Sequence, residues 1–171
     1  FEVLAKQGAE TQEFLLKTSI LQRMSPALCD AVMAVRLEEI ATVSPDGNSA
    51  PHGRQILDFL DSQNLFITTL DDHQQWYRYH HLFQQLLELR LRATYSKEKI
   101  AALYCAASRW CAEQELIDEA IAYSCAAGDM TGDMTGAITL IESHRHTAMK
   151  AERWQQLERW LNLLRRQQID T

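Results

Sequence analysis

Leu65-Phe66-Ile67-Thr68-Thr69-Leu70, a polar link Asp71 to Gln75, then Trp76-Tyr77-Arg78-Tyr79: this is the stretch densest in β-branched and aromatic residues, and its reading decides the fold. Two short apolar runs joined by five polar residues predict an antiparallel hairpin. Upstream, three segments carry helical periodicity. Thr11 to Leu21 places Phe14, Leu15, Thr18 and Leu21 on one face, with Thr11 as the expected cap. Ser25-Pro26 opens a second helix, serine at the N-cap and proline in the first turn, carrying Leu28, Cys29, Val32 and Val35. Arg54 to Gln63 forms a third, with Ile56, Leu57 and Leu60 as its stripe. Three helices followed by a hairpin is the element order of a winged helix, the hairpin being the wing.

After Tyr79 the pattern is helical throughout. Leu82, Phe83, Leu86 and Leu87 form one stripe. Beyond Ser96, a cap, Ile100, Leu103, Tyr104, Ala107, Trp110 and Cys111 recur at helical spacing. Leu116 to Ala127 is a further helix, expected to stop at Gly128. Two more carry Ile138 and Ile141, then Trp154, Leu157, Leu161 and Leu164. The expected architecture is mainly α: a winged helix over 1–95 with one β-hairpin, then tetratricopeptide-like helical hairpins over 96–171. Asp129-Met130-Thr131-Gly132 recurs at once as Asp133-Met134-Thr135-Gly136, and reads as a duplication lengthening a loop. It lacks the ligand alternation and closing glutamate of a calcium loop. Ser44-Pro45-Asp46-Gly47-Asn48 is turn chemistry inside a stretch, Arg36 to Pro51, to which no role is assigned.

The 171 residues begin at Phe1 and end in a polar segment, Gln167 to Thr171, which reads as a piece of something longer. A composition of 46% hydrophobic and 23% charged residues supplies a normal globular core. With neither a signal peptide nor an apolar run long enough to span a bilayer, the chain is expected to be soluble and cytoplasmic. Charge is spread: 8 basic against 12 acidic residues in 1–95, and 9 against 11 in 96–171. DNA binding needs clustered Lys and Arg, so no direct DNA contact is expected. Cys29, Cys105, Cys111 and Cys125 form no C-x-x-C pair and read as reduced, buried core residues.

Catalytic motifs are missing. Each glycine is followed by a residue other than lysine, so no phosphate-binding loop can be written. Zinc-protease, nucleophile-elbow and cysteine-pair zinc motifs are lacking too. His144 and His146, two apart on a helix, face different directions and read as surface residues, so no metal is expected. The chain alone reads as a non-enzyme. The sharpest local feature is His80-His81, where a strand hands over to a helix. An imidazole beside free helix N–H groups can donate to a phosphate. From the residues alone, a pair of polar side chains capping or filling a turn is the favoured reading.

Phe14-Leu15-Leu16-Lys17-Thr18-Ser19-Ile20-Leu21, Leu28-Cys29-Asp30-Ala31-Val32, Asn64-Leu65-Phe66, Leu70-Asp71-Asp72 and Trp76-Tyr77-Arg78-Tyr79-His80-His81-Leu82-Phe83 together resemble the MalT-like, large ATP-dependent LuxR-type transcriptional regulators. Weaker similarity continues through Asp118-Glu119-Ala120-Ile121 and Ala126-Ala127-Gly128-Asp129. The resemblance implies that an upstream nucleotide-binding module, a downstream sensor and a DNA-binding domain are the chain's partners. It also implies ATP or ADP as the parent's cofactor, with none in this chain, and an inducer or regulatory protein on the helical arm. In related signalling ATPases a Met-His-Asp-type motif sets its histidine on the β-phosphate of ADP. By that resemblance His80 is the nucleotide sensor, with His81 where the motif has aspartate. The function so implied is regulatory: the winged helix restrains the ADP-bound resting state, and the helical arm relays inducer or partner binding. Two alternatives stand beside it: a helical protein-interaction adaptor without a nucleotide role, and a free-standing winged-helix DNA binder.

Overall fold

The computed structural model describes residues 8–37, 53–62, 66–71 and 75–165. The chain divides into two compact units, Phe1–Ser96 and Lys97–Thr171.

In the first unit, helices α1 (Ala9–Thr18), α2 (Pro26–Met33) and α3 (Gly53–Ser62) precede strands β1 (Ile67–Thr69) and β2 (Tyr77–Tyr79), and helix α4 (His81–Thr94) follows. The strands pair antiparallel, Ile67 opposite Tyr79 and Thr69 opposite Tyr77. On its other side β2 is bridged by Met24, which exchanges two backbone hydrogen bonds of 2.8 Å with Tyr77. β2 is therefore paired on both edges, and its two outer residues, Tyr77 and Tyr79, are buried. This is a winged helix.

Several local features hold these helices together. Ser25 caps α2 as expected, its Oγ accepting from the Leu28 N–H at 3.3 Å. Asp30 on α2 then caps α3, its Oδ1 accepting from the Gly53 N–H at 2.9 Å. A Cβ at Gly53 would run into the Pro26 carbonyl and that same carboxylate, so the helices approach there only because the residue is glycine. Lys17 is buried, yet its ammonium is satisfied: it pairs with Glu13 at 2.6 Å and donates to the carbonyls of Val35 at 2.8 Å and Met33 at 3.4 Å. A cation on the C-terminal end of α2 also opposes its dipole.

Four expectations are corrected, three of them in this unit. α1 starts at Ala9 behind Gly8, so Thr11 lies inside the helix and caps nothing. α2 stops at Met33, which puts Val35 beyond it, where its carbonyl serves Lys17. Leu82 is 79% exposed, and the inward face of α4 runs instead through Leu87 and Leu91. Cys29 is buried, as expected of a core thiol, but the cysteines do not all follow: in the second unit Cys105 is exposed. The expected turn at 44–48, most of the unassigned stretch and Gln63 lie outside the described residues.

The second unit is built from helical hairpins. Helices α5 (Lys97–Glu113) and α6 (Ile117–Thr131) pack along small residues, Ala101, Ala107, Ser108 and Ala120, and Ser108 Oγ donates to the Ala120 carbonyl at 2.7 Å. Helices α7 (Thr135–Lys150) and α8 (Trp154–Arg165) follow. α5 and α7 end alike. The N–H of Leu116 bonds the Cys111 carbonyl at 2.8 Å and that of Arg153 the Ala148 carbonyl at 2.9 Å, with Glu115 and Glu152 between them in the left-handed region at φ 60 and 53.

α6 does not stop at Gly128. It runs to Thr131 and ends on Gly132, whose φ of 80 is the left-handed cap. Gly128 is buried inside the helix because a Cβ would strike Met134 and the Asp133 carbonyl. The tandem repeat thus lengthens no loop: its first copy completes α6 and its second starts α7. The Thr135 side chain first, and then the Thr135 N–H, which donates to Asp133 Oδ1 at 3.0 Å, hold the Asp133 carboxyl below the usual range. In α8 the buried residue is Trp160, while the expected stripe members Trp154 and Leu161 are exposed. Trp160 joins Ile121, Cys125, Ala137, Ile141 and Ala148 in one core.

Candidate functional site

The candidate site lies where β2 passes into α4, and both sides of the junction are fixed. Tyr79, fully buried at the end of β2, has its hydroxyl 2.8 Å from Thr18 Oγ1. Thr18 spends its one proton on the Phe14 carbonyl at 2.7 Å, so the phenol must be the donor between them. Burial pushes the Tyr79 phenol far above its ordinary range, outweighing the opposite effect of its hydrogen bond with Thr18. It stays a neutral donor. Tyr77 reaches Asp58 on α3 at 3.3 Å; burial first, then that carboxylate, raises its phenol as well.

The helix side is clamped by Gln84. Its amide donates to the carbonyls of Ser19 at 2.8 Å and Leu21 at 2.9 Å, tying the first turn of α4 to the α1–α2 connection. The wing side is held by Phe66, whose ring stacks on Phe83 at 4.6 Å while its carbonyl accepts from the His80 N–H at 2.8 Å. Phe66 sits at φ 58, a conformation a bulky residue adopts only when its surroundings insist. The Arg23 guanidinium lies 3.9 Å from the centre of the Trp76 ring, pinning the other strand to the α1–α2 connection.

Between these fixings His80 is the N-cap residue of α4. Its N–H serves Phe66 and its carbonyl accepts from Gln84 N at 2.9 Å, so the backbone is fully used. Its side chain is exposed and makes no capping hydrogen bond, and no acidic residue stands in the first turn of α4. His81 behaves differently. Its Nε2 lies 3.3 Å from the Gln85 amide along the helix, and it eases the carboxyl of Glu88, which burial raises and Arg92 and His81 lower. The two adjacent imidazoles thus do not form one site. What the arrangement offers is a single ring, with at most one or two N–H donors, at the positive end of a 14-residue helix.

Elsewhere, His144 Nδ1 lies 2.9 Å from the Leu140 carbonyl, an ordinary helix-surface contact. Among the described residues no cluster of His, Cys, Asp and Glu could hold a metal ion, and no helix is long and apolar enough to cross a membrane.

The sequence profile of the MalT winged helix domain matches residues 1–99, more than half of the chain. The chain belongs to the MalT winged-helix family. It is 35% identical over 128 residues to the HTH-type transcriptional regulator MalT of Klebsiella pneumoniae, covering 75% of this chain and 12% of that protein. The corresponding regulator of Cronobacter sakazakii is 34% identical over the same length. The serine/threonine-protein kinase PknK of Mycobacterium tuberculosis is 30% identical over 127 residues, 74% of this chain and 10% of the kinase. The chain therefore spans about an eighth or less of these relatives. Within this MalT-type winged helix, sequence reasoning missed the buried Lys17, the Gln84 clamp and the Asp30 cap. Apart from the Lys17–Glu13 pair, four apart on α1, the partners of these polar residues lie many positions away, and no local spacing announces them.

Proposed function

We propose that this chain is the regulatory segment of a MalT-type, ATP-dependent transcriptional regulator. The winged helix restrains the ADP-bound resting state, and the helical arm, the start of a tetratricopeptide-like sensor, relays the binding of an inducer or protein partner. The observation that carries this reading is His80: a solvent-exposed imidazole, without a side-chain capping bond, on a backbone held from both sides at a helix N-terminus. The helix dipole and the ring N–H both favour a phosphate there. The upstream nucleotide-binding module supplies the rest of the nucleotide's contacts. Since this chain has no phosphate-cradling loop of its own, it neither retains nor hydrolyses ATP alone.

The names of the relatives support a coupling role. The same segment occurs in proteins named transcriptional regulators and in one named a protein kinase, so it serves different outputs. The work is cytoplasmic, and DNA is contacted by another domain of the parent. Relay of this kind requires nucleotide and inducer each to bind the two states with different affinity.

Uninduced expression from a reporter driven by the intact regulator tests the reading. Losing a charge-assisted hydrogen bond costs about 1.5–3 kcal/mol, a shift of roughly ten- to a hundredfold between two states. His80→Ala should raise basal transcription, whereas His81→Ala, whose ring lies along α4, should leave it silent. Unchanged basal expression at wild-type protein levels would replace this reading with that of a helical adaptor without a nucleotide role.

A further inference from the structure

Two residues flank His80 with side-chain bonds of their own, and both bonds end on the same short stretch of chain. Tyr79, one position before it, donates to Thr18 at the end of α1. Gln84, four positions after it, donates from its amide nitrogen to the carbonyls of Ser19 at 2.8 Å and Leu21 at 2.9 Å. Ser19 caps α1 at its C-terminus, where helix carbonyls have no partner within the helix. Thr18, Ser19 and Leu21 are each at most 1% exposed, so no open solvent stands ready to replace those donors. An amide NH2 has two N–H groups, and the two carbonyls use both. His80 has no anchor of this kind, because its side chain is exposed and makes no capping hydrogen bond. Its ring takes its place from the backbone. That backbone also closes on Gln84, whose N–H donates to the His80 carbonyl at 2.9 Å.

We propose that Gln84 is the positioning residue for His80, an inference that rests on the nucleotide role proposed for that histidine. The Gln84 side chain fixes the first turn of α4 to the end of α1. Its N–H carries that fix one turn back, to the residue whose ring meets the phosphate. A hydrogen-bonding group has to be held within about 0.5 Å of its working place, and an exposed ring on a loosened turn is not. Without the amide, the carbonyls of Ser19 and Leu21 lose their donor. The turn is then held from the wing, where the His80 N–H meets Phe66 and the Phe66 ring stacks on Phe83. Because Tyr79 and Gln84 share one anchor, a displacement of the α1 end reaches His80 from both sides.

Hydrogen exchange of this chain without nucleotide gives the first test. Gln84→Met keeps the length of the side chain and removes both donors. It should speed exchange of the backbone amide at position 84 by about tenfold, while the Tyr77 amide, bonded to Met24, keeps its protection. Unchanged exchange at position 84, or an equal loss at Tyr77, would overturn the proposal. ADP release from the intact regulator gives the second test. Gln84→Met should speed release by no more than the about ten- to a hundredfold expected of His80→Ala. In a His80→Ala background it should add nothing, because it acts through that ring. Equal acceleration in both backgrounds would make Gln84 a residue of the fold and overturn its positioning role. If His80→Ala speeds release and Gln84→Met does not, this proposal alone falls; if His80→Ala leaves release unchanged, the nucleotide role falls and takes it along. Should Gln84→Met not fold, Gln84→Asn, which draws the amide back by one methylene, decides by the same comparisons.

Discussion

Replacing Thr18 by valine should cost the winged helix more than replacing Tyr79 by phenylalanine, although both remove the same hydrogen bond. The asymmetry follows from proton bookkeeping at the Thr18–Tyr79 contact. Thr18 donates to Phe14, so its oxygen is the acceptor and the phenol the donor. Thr18→Val leaves the Tyr79 O–H, buried in a residue 1% exposed, with no acceptor, at about 1–3 kcal/mol. Tyr79→Phe leaves Thr18 still bonded to Phe14 and removes only the net value of the contact, about 0.5–1.5 kcal/mol. The double variant discards both polar groups and should be more stable than the two losses summed. Tyr79 ends the strand that delivers His80, so the effect should be read there. Native-state exchange of the Tyr77 and His80 amides, bonded to Met24 and Phe66, reports this unit alone. A Thr18→Val protein as stable as Tyr79→Phe, or strict additivity in the double variant, would refute the assigned direction of the bond.

Gly128→Ala should destabilise the helical unit by about 1–3 kcal/mol, because its methyl would strike Met134 and the Asp133 carbonyl; thermal melts would show it, and an unchanged melt would mean that α7 yields freely. One of the four thiols should react promptly with an aromatic disulfide reagent in the folded protein: Cys105 is exposed, whereas burial pushes Cys125 up to about 11 and Cys29 higher still. Peptide mapping of the modified protein checks this, and early labelling of Cys29 would contradict it. The first turn of α7 should fray in acid. The folded Asp133 carboxyl lies below its ordinary 3.8, so its contribution is complete above that value and lost as pH falls through the depressed one. Exchange at the Thr135 amide should therefore gain protection from Asp133 at neutral pH and lose it under acid conditions, with no such change in Asp133→Ala.

Much of this architecture was legible because it rests on local chemistry. Ser25-Pro26 announces α2 through a serine oxygen and a missing proline N–H, and the aromatic strands announce the wing. Helix ends were less legible, for an identifiable reason. Gly128 looks like a stop but is glycine because α7 begins against it, while the left-handed stops of α5 and α7 fall on Glu115 and Glu152, which carry no such signal. The apolar stripes of α4 and α8 were misphased because Leu82 and Leu161 lie outward, and a hydrophobic residue need not be inside. At the candidate site the sequence located His80 at a helix start. The Tyr79–Thr18 bond and the Gln84 clamp that fix it bridge 61 and 65 positions, beyond any local pattern.

The rate at which the intact regulator releases ADP tests the central claim most directly, with a fluorescent ADP analogue chased by excess unlabelled nucleotide. If the His80 ring contributes a charge-assisted bond to the nucleotide, His80→Ala should speed release by about ten- to a hundredfold and His81→Ala should leave it near wild type. Release from a folded His80→Ala protein at the wild-type rate would contradict the account and leave His80 a residue of the turn.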